Sequence, residues 1–170
     1  MLIKNFCKLL LVSFLKLPSF YIYSNDIDKI QLIKEIYNIN KIELIDFNEN
    51  ISSIKEKKAS FYILNFWASW CAPCRIEHPY LMKLSKEKNL KILGVNFKDK
   101  KINASKFLNE LGNPYNDLAK DMTGKQSVNF GIYGIPESIL VNNETMILKK
   151  FIGPLNNQDI NYIKDIINSL

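Results

Sequence analysis

Apolar and polar residues follow one another along the chain in short blocks that predict alternating strands and helices. The densest apolar block runs from Phe61 to Ala68, and its aromatic and aliphatic side chains predict a central strand buried on both faces. Near the C-terminus, Ile160, Ile163 and Ile167 recur at helical spacing and predict an amphipathic helix. The predicted strands are 41–47, 61–68, 91–97, 138–142 and 146–152, and the predicted helices are 26–38, 73–88, 103–111 and 156–170, with a polar loop over 48–58. This order predicts an α/β sandwich, in which helices cover both faces of a mixed central sheet.

The first 25 residues have a different pattern from the rest of the chain. Lys4 and Lys8 precede a long apolar run, and the first acidic residue is Asp26. This arrangement is typical of a secretory signal peptide or of a retained signal anchor. As a helix, residues 5–23 would span about 28 Å, close to the hydrocarbon thickness of a bilayer. Residues 1–25 are therefore predicted to direct export, with the positive N-terminus in the cytoplasm and the rest on the far side.

The sequence leaves open whether this segment is retained or cleaved. Lys16 and Pro18 disfavour a membrane-spanning helix, whereas the lack of a small-x-small cleavage site before Asn25 favours a retained anchor. Anchor and cleaved peptide both stay as alternatives. Residues 26–170 form the predicted folded domain, in which 26–40 is a short amphipathic helix or stalk.

Composition is that of an ordinary globular protein and argues against nucleic acid as a partner. Apolar residues make up 47% and charged residues 24% of the 170 residues, which suffices for one packed domain with an extension. The net charge of +6 comes from 23 basic and 17 acidic residues. Because Arg75 is the only arginine and the lysines are spread along the chain, we do not expect a nucleic-acid-binding stripe.

A pair of cysteines carries the predicted chemistry. The chain has three cysteines, too few for a disulfide framework or a four-thiolate zinc site. Cys71 and Cys74 follow the predicted central strand directly and open a predicted helix, with Pro73 suited to its first turn. The N–H groups and dipole of a helix start favour a thiolate, and Arg75 adds a nearby positive charge. Cys71 is therefore predicted to attack a disulfide, and Cys74 to resolve the mixed disulfide that results.

Other roles for the cysteine pair fit the sequence less well. Haem attachment would need a histidine in place of Arg75, and a purely structural disulfide in so short a ring would constrain the unfolded chain little. A thiol peroxidase is disfavoured because Cys71 belongs to a Cys-x-x-Cys turn. His78, the only histidine, shares a helix face with Cys74, so that a Cys-Cys-His metal-binding module stays an alternative. No flavin or nicotinamide fingerprint is present, and no metal or separate cofactor is predicted.

Several motifs around these cysteines resemble the thioredoxin superfamily. Trp70-Cys71-Ala72-Pro73-Cys74 follows an apolar strand, and Glu77-His78 come shortly afterwards. Further motifs match in order: Gly94-Val95-Asn96-Phe97-Lys98-Asp99, Leu111-Gly112-Asn113-Pro114-Tyr115 and Gly131-Ile132-Tyr133-Gly134-Ile135-Pro136-Glu137. Over residues 42–155, the set resembles the exported thiol:disulfide interchange proteins of cytochrome c maturation, the CcmG/DsbE group. The resemblance implies a thioredoxin-like three-layer sandwich with an N-terminal extension.

The resemblance also implies roles for residues at the predicted site. Cys71 would be the exposed nucleophile and Cys74 the resolving thiol, with Trp70 as a wall of the active site. Pro136 would follow a cis peptide bond and lie opposite the disulfide. The backbone of Ile135 would then pair with an extended segment of a client protein.

Two glutamates are implied to make the site acidic. Glu77 and Glu137 would lie near the sulfurs, although solvated surface charges are the plainer interpretation of both. Asn65 stands where thioredoxins carry a buried aspartate, so proton transfer at Cys74 cannot use that carboxylate. We therefore expect Glu77 or Glu137, acting through water, to take the Cys74 proton.

By resemblance, the protein is predicted to be a thiol-disulfide oxidoreductase at the periplasmic face of the bacterial inner membrane, or free in the periplasm if cleaved. Its redox-active centre would be the Cys71–Cys74 disulfide. The implied client is apocytochrome c, whose haem-binding cysteines must be reduced before haem attachment. The implied partners are a membrane thiol reductant, as electron donor, and the haem-ligation machinery. The nearest alternative is an exported reductant for other clients, such as copper-site proteins.

Overall fold

The computed structural model describes residues 44–48, 51–52, 59–144 and 146–169. Within these ranges the backbone forms seven strands and four helices. The strands are β1 (Leu44–Asp46), β2 (Ile51–Ser52), β3 (Phe61–Trp67), β4 (Leu90–Phe97), β5 (Asp117–Asp121), β6 (Glu137–Asn142) and β7 (Ile147–Ile152). The helices are α1 (Ala72–Leu84), α2 (Lys101–Leu111), α3 (Lys125–Asn129) and α4 (Asn157–Asn168). From β3 onward, every predicted strand and helix is found.

One mixed sheet joins the strands in the order β2-β1-β5-β4-β3-β6-β7. β3, β4 and β5 run parallel, whereas β1, β2, β6 and β7 pair antiparallel with their neighbours. β3 lies between β4 and β6, and all seven of its residues are buried. The predicted mixed sheet and its buried central strand are thus confirmed.

The sheet brings three chain turns together at one edge. β3 ends at Trp67, whose register partner on the parallel strand β4 is Asn96. On the other side, the antiparallel strand β6 begins at Glu137, which pairs with Phe66. The turn after β3, the turn after β4 and the loop before β6 therefore meet at this edge. These segments carry, in that order, the cysteine pair, Asp99 and Pro136.

Apolar side chains fill the space on both sides of the sheet. On one face, Trp67 and the alternate residues before it on β3 pack with buried residues of α1, α2 and α4, such as Phe107 of α2. On the other face, the intervening residues of β3 pack with Phe130 and Ile132, which follow α3. Each such large apolar side chain stabilises the fold by roughly 1.5–3 kcal/mol when fully buried. Helices cover both faces as predicted, but three of the four described helices lie on the cysteine side.

Three short elements were not predicted from the sequence. β2 interrupts the segment predicted as a polar loop, and β5 and α3 fall in a polar stretch with no clear periodicity. β5 has the sequence Asp-Leu-Ala-Lys-Asp, yet it pairs with β4 on one side and β1 on the other. Its neighbours in the sheet, rather than its own side chains, hold it as a strand. α1 is also shorter than predicted, because its last turn closes at Ser85.

The predicted export segment lies outside the described residues, as do the predicted helix over 26–38 and Cys7. Across 44–48, 51–52, 59–144 and 146–169, no helix combines the length and the apolar character that crossing a bilayer requires.

Candidate active site

Cys71 and Cys74 form a disulfide at the start of α1. The S–S distance is 2.07 Å, and the two Cα atoms lie 5.3 Å apart. Cys71 is the N-cap residue of α1, and its Sγ accepts a hydrogen bond from the backbone N–H of Cys74 at 3.2 Å. Pro73 lies in the first turn, where its missing N–H leaves no helical bond unmade. The structure therefore places the cysteine pair at the positive end of a helix, as predicted.

Both cysteines are buried in the disulfide form. Cys71 is 4% exposed and Cys74 is 2% exposed, and both belong to the same apolar cluster as Trp67 and Ala68. The prediction that Cys71 is an exposed nucleophile is wrong for this state of the protein. The backbone N–H of Cys71 donates to the carbonyl of Ala68 at 3.2 Å, which holds the residue close to the end of β3. A client can reach the disulfide only over a small surface.

Trp70 is the large exposed side chain next to the disulfide. It is 58% exposed, and its indole Nε1 donates a hydrogen bond to the carbonyl of Lys98 at 3.2 Å. Lys98 has a φ of 45°, which is uncommon for a residue other than glycine and turns the chain sharply after β4. The indole therefore links the cysteine turn to the turn after β4, in the place predicted for a wall of the site.

Asp99 fixes the turn that leads into the cysteine pair, a role that the sequence did not indicate. Its carboxylate accepts hydrogen bonds from the backbone N–H of Ser69 at 2.7 Å and from the Ser69 hydroxyl at 2.9 Å. Asn96 Nδ2 donates to the same carboxylate at 3.1 Å. The available signal was an acidic residue directly after a buried strand, at the sheet edge that the cysteines also occupy.

The loop before β6 contains a cis peptide bond between Ile135 and Pro136, as the resemblance implied. Glu137, which follows directly, is 5% exposed and folds back onto this loop. Its Oε1 accepts a hydrogen bond from the backbone N–H of Gly134 at 3.1 Å, and its Oε2 forms an ion pair with Lys150 Nζ at 2.7 Å. The interpretation of Glu137 as a solvated surface charge is therefore wrong.

Glu77 is fully buried on α1 and bound by neutral donors. Its Oε1 accepts a hydrogen bond from Asn65 Nδ2 at 2.8 Å, and its Oε2 accepts one from the backbone N–H of Leu155 at 3.0 Å. Glu77 follows Cys74 by three positions, so that both lie on the buried face of the helix. The surface-charge interpretation is wrong for Glu77 as well. Asn65, at the position where thioredoxins carry an aspartate, provides no carboxylate of its own, and its amide instead donates a hydrogen bond to the carboxylate of Glu77.

Burial also changes the proton affinity of Glu77. It raises the pKa of Glu77 from 4.5 to about 7, although the hydrogen bonds from Leu155 and Asn65 oppose the shift. Among the described residues, no lysine or arginine forms an ion pair with Glu77. A carboxyl with a pKa near 7 can both bind and release a proton at neutral pH, which a proton acceptor for a thiol requires.

The side chains of His78 and Arg75 bind to α2 and to Gly112, which follows it. His78 Nε2 is hydrogen-bonded to the carbonyl of Gly112 at 2.9 Å, and the ring meets Phe107 edge-on at 5.1 Å. Burial lowers the pKa of His78, the Gly112 carbonyl opposes this, and the charge of Arg75 lowers it further. Arg75 pairs with Glu110 at 3.0 Å, on α2. In the part of the chain that the structure describes, no three His, Cys, Asp or Glu residues are grouped as metal ligands.

Residues 41–167 match the sequence model of the family described as Redoxin. The chain belongs to the Redoxin family. The match spans every described strand and all but the last residue of α4. It confirms the resemblance to the thioredoxin superfamily that the motifs around the cysteines indicated.

Two curated relatives of this Redoxin-family chain are thiol:disulfide interchange proteins. CycY from Rhizobium leguminosarum bv. viciae is 48% identical over 100 residues, which cover 59% of this chain and 54% of CycY. HelX from Rhodobacter capsulatus is 46% identical over 93 residues, which cover 55% of this chain and 52% of HelX. The chain thus spans about half the length of the curated relatives it matches.

A solved structure confirms the predicted thioredoxin-like α/β fold. The crystal structure of the thioredoxin domain of a thiol-disulfide oxidoreductase from Bacteroides vulgatus superposes on this chain with a TM-score of 0.64 at 26% identity. The superposition covers 75% of this chain and 93% of that domain.

Proposed function

We propose that this Redoxin-family protein is a thiol-disulfide oxidoreductase that reduces the disulfide of apocytochrome c before haem attachment. The observation that carries the proposal is the Cys71–Cys74 disulfide at the start of α1, at the sheet edge that also holds the cis Ile135–Pro136 bond. The relatives named as thiol:disulfide interchange proteins support the reaction class. The four ordered motifs of the CcmG/DsbE group support the cytochrome client.

The position of Cys71 makes it the nucleophile of the reduced protein. Its Sγ lies at the N-cap and accepts the backbone N–H of Cys74, so the helix start stabilises negative charge on this sulfur. The Cys71 thiolate attacks one sulfur of the client disulfide and forms a mixed disulfide. The other client sulfur leaves as a thiolate and takes up a proton.

Resolution of the mixed disulfide uses Cys74 and Glu77. The Cys74 thiol gives its proton to Glu77, and the resulting thiolate attacks the sulfur of Cys71. The second client sulfur leaves as a thiolate, which takes the proton from Glu77. Two electrons and two protons pass to the client, and the Cys71–Cys74 disulfide of this structure is the oxidised product.

The next cycle requires an electron donor and a place where client and donor meet. A membrane thiol reductant would supply two electrons by exchange at Cys71. The proposed location is the periplasmic face of the inner membrane, with residues 1–25 as anchor or cleaved signal, beside the haem-ligation machinery. Trp70 and the Ile135 backbone would contact the client segment, because both border the cysteine turn at this sheet edge.

Trapping of the mixed disulfide tests the proposal. In Cys74→Ala the second step is blocked, so a peptide with the disulfide form of a Cys-x-x-Cys-His sequence should stay covalently attached to Cys71 until dithiothreitol is added. Cys71→Ala is the matched control and should capture no peptide. Capture of oxidised insulin but not of the haem-site peptide would indicate the alternative, a reductant for other clients. Capture of neither would contradict the reaction class.

A further inference from the structure

The buried hydrogen bonds at Glu77 continue through Asn65 to a tyrosine. Asn65 Oδ1 accepts a hydrogen bond from the Tyr115 hydroxyl at 2.9 Å, while Asn65 Nδ2 donates to Glu77 at 2.8 Å and to Ser138 Oγ at 3.0 Å. Asn65 and Glu77 are 0% exposed, Ser138 is 1% exposed and Tyr115 is 8% exposed. The proton path proposed above gives the Tyr115 hydroxyl no role.

Packing holds the Tyr115 hydroxyl against Asn65. The Tyr115 ring stacks on Trp67 with centroids 5.3 Å apart. It also lies directly over Gly94, where a Cβ would come within 2.8 Å of two ring carbons. The ring is confined between these neighbours, so its hydroxyl has one position in the core.

The direction of the Asn65 amide decides which form of Glu77 is stabilised. The NH₂ end donates hydrogen bonds and stabilises a carboxylate, whereas the oxygen end accepts one only from a protonated carboxyl. The two ends have nearly the same shape, so packing alone does not distinguish them. Burial raises the pKa of Tyr115 well above its ordinary value, and the phenol therefore keeps its proton and donates it to the amide oxygen.

We propose that Tyr115 is a positioning residue, which keeps the NH₂ end of Asn65 toward Glu77 and thereby favours the ionised carboxylate. This proposal deepens the proposed function, since an ionised Glu77 is the form that accepts the Cys74 proton. Without the hydroxyl, the amide can turn over and present its oxygen to Glu77. The protonated carboxyl would then be favoured.

Among the described residues, burial and two neutral hydrogen-bond donors account for the shifted pKa of Glu77, so a change in one donor should be measurable. Its hydrogen-bond donors are the Asn65 amide and the backbone N–H of Leu155. The negative charge of Glu77 adds to the effect of burial in raising the pKa of the Tyr115 phenol. Cys74 lies on the same helix face and does not titrate in the disulfide form, so the oxidised protein isolates the carboxyl.

The first test follows the Glu77 carboxyl itself. Tyr115→Phe removes the hydroxyl and retains the ring. Infrared difference spectra of the oxidised protein report the protonated carboxyl against pH, and Glu77→Gln identifies its band. We expect Tyr115→Phe to raise the titration midpoint by about one pH unit, a tenfold change in ionisation. Tyr162→Phe, which removes a partly exposed hydroxyl on α4, should leave the midpoint unchanged.

The second test follows the consequence for the thiols. The pH profile for resolution of the mixed disulfide should shift upward by about the same unit in Tyr115→Phe. In the Glu77→Gln background, adding Tyr115→Phe should cause no further shift, because the carboxyl through which Tyr115 acts is gone.

The outcomes separate this inference from the proposed function. An unchanged infrared midpoint in Tyr115→Phe, or an equal shift in Ser138→Ala, overturns the role of Tyr115 whatever the activity. A shifted midpoint in a protein that fails to reduce any client supports the role of Tyr115 and overturns the proposed function.

Discussion

Glu77, three positions after Cys74 on α1, and Glu137, at the start of β6, are both buried, but their partners differ in kind. Glu137 pairs with a cation, Lys150, at 2.7 Å. Glu77 has only neutral donors, the amide of Asn65 and the N–H of Leu155, and burial raises the pKa of Glu77 to about 7. The ion pair with Lys150 ties Glu137 to the neighbouring strand, whereas Glu77, whose pKa burial raises to about 7, can exchange a proton near neutral pH. Glu77 is therefore suited to chemistry, and Glu137 to holding the loop before β6.

The largest expected effect is a change in the free energy of unfolding with pH, which tests whether Glu77 takes up a proton near neutral pH. The pKa of Glu77 is about 7 in the folded protein and 4.5 for an unperturbed glutamate, so the folded state binds the proton more tightly. Its contribution to stability is complete below pH 4.5 and is lost as the pH rises to about 7. At about 1.4 kcal/mol per unit, the loss is on the order of 3 kcal/mol. Urea unfolding of the oxidised protein from pH 4.5 to 8 measures it.

The control for this experiment is a pair of isosteric variants. Glu77→Gln should abolish the loss of stability as the pH rises above 4.5, because glutamine does not titrate, whereas the opposite contribution from the lowered pKa of His78 stays in both proteins. Glu110→Gln changes an exposed carboxylate on α2 and should leave the slope as it is. Equal slopes in the wild type and in Glu77→Gln would show that the two buried glutamates do not differ as described.

A smaller loss of stability is expected when Lys150, the cation that pairs with Glu137, is removed. Lys150→Met leaves Glu137 buried without its ion pair and also removes the hydrogen bond from Lys150 to the carbonyl of Gly131. Breaking a fully buried pair costs roughly 3–5 kcal/mol, and partial exposure of the lysine reduces this to about 2 kcal/mol in free energy of unfolding at pH 7.

The double variant Lys150→Met/Glu137→Gln checks the cause of that loss. It should recover most of the stability, because no unpaired carboxylate is left in the core. A double variant no more stable than Lys150→Met alone would mean that the lysine contributes by packing and not by charge.

The smallest effect is expected at Asp99, which is another buried carboxylate. Its hydrogen-bond donors from Ser69 and Asn96 are neutral, like those of Glu77. Asparagine in its place keeps one acceptor oxygen, so Asp99→Asn should lose one of the hydrogen bonds from Ser69 and cost about 1 kcal/mol in free energy of unfolding. The exposure of Trp70 should increase, which its fluorescence emission reports. A loss as large as that of Lys150→Met would contradict this ranking.

The parts of the fold that sequence patterns predicted are those whose own side chains determine them. The run from Phe61 to Trp67 is short, apolar and rich in aromatic residues, which favours a buried strand, and Cys71 and Cys74 stand where a strand meets a helix. β5 and α3 could not be predicted in this way, because sheet pairing and the hydrogen bonds of Asp121 to Gly124 and Ser127 hold them in place.

The buried polar contacts of the site could not be predicted from the sequence, for a different reason. A glutamate in an amphipathic helix suggests a surface position, and only the folded chain shows Glu77 beneath Asn65 and Leu155. The contact between Asn65 and Tyr115 joins residues 50 positions apart, a separation that no local pattern encodes. The burial of Cys71 likewise follows from the geometry of the turn after β3 and not from its neighbours in sequence.

Gly94 has a consequence for how this protein can vary. The Tyr115 ring and Trp67 Nε1 occupy the space that a methyl group at position 94 would need, at 2.8 and 2.9 Å from its place. An alanine there would displace the aromatic ring and separate its hydroxyl from Asn65, although residue 94 itself touches no reacting group. The large ring of Tyr115 fits only because residue 94 on β4 has no side chain. Substitutions at positions 94 and 115 are thus expected to occur only together.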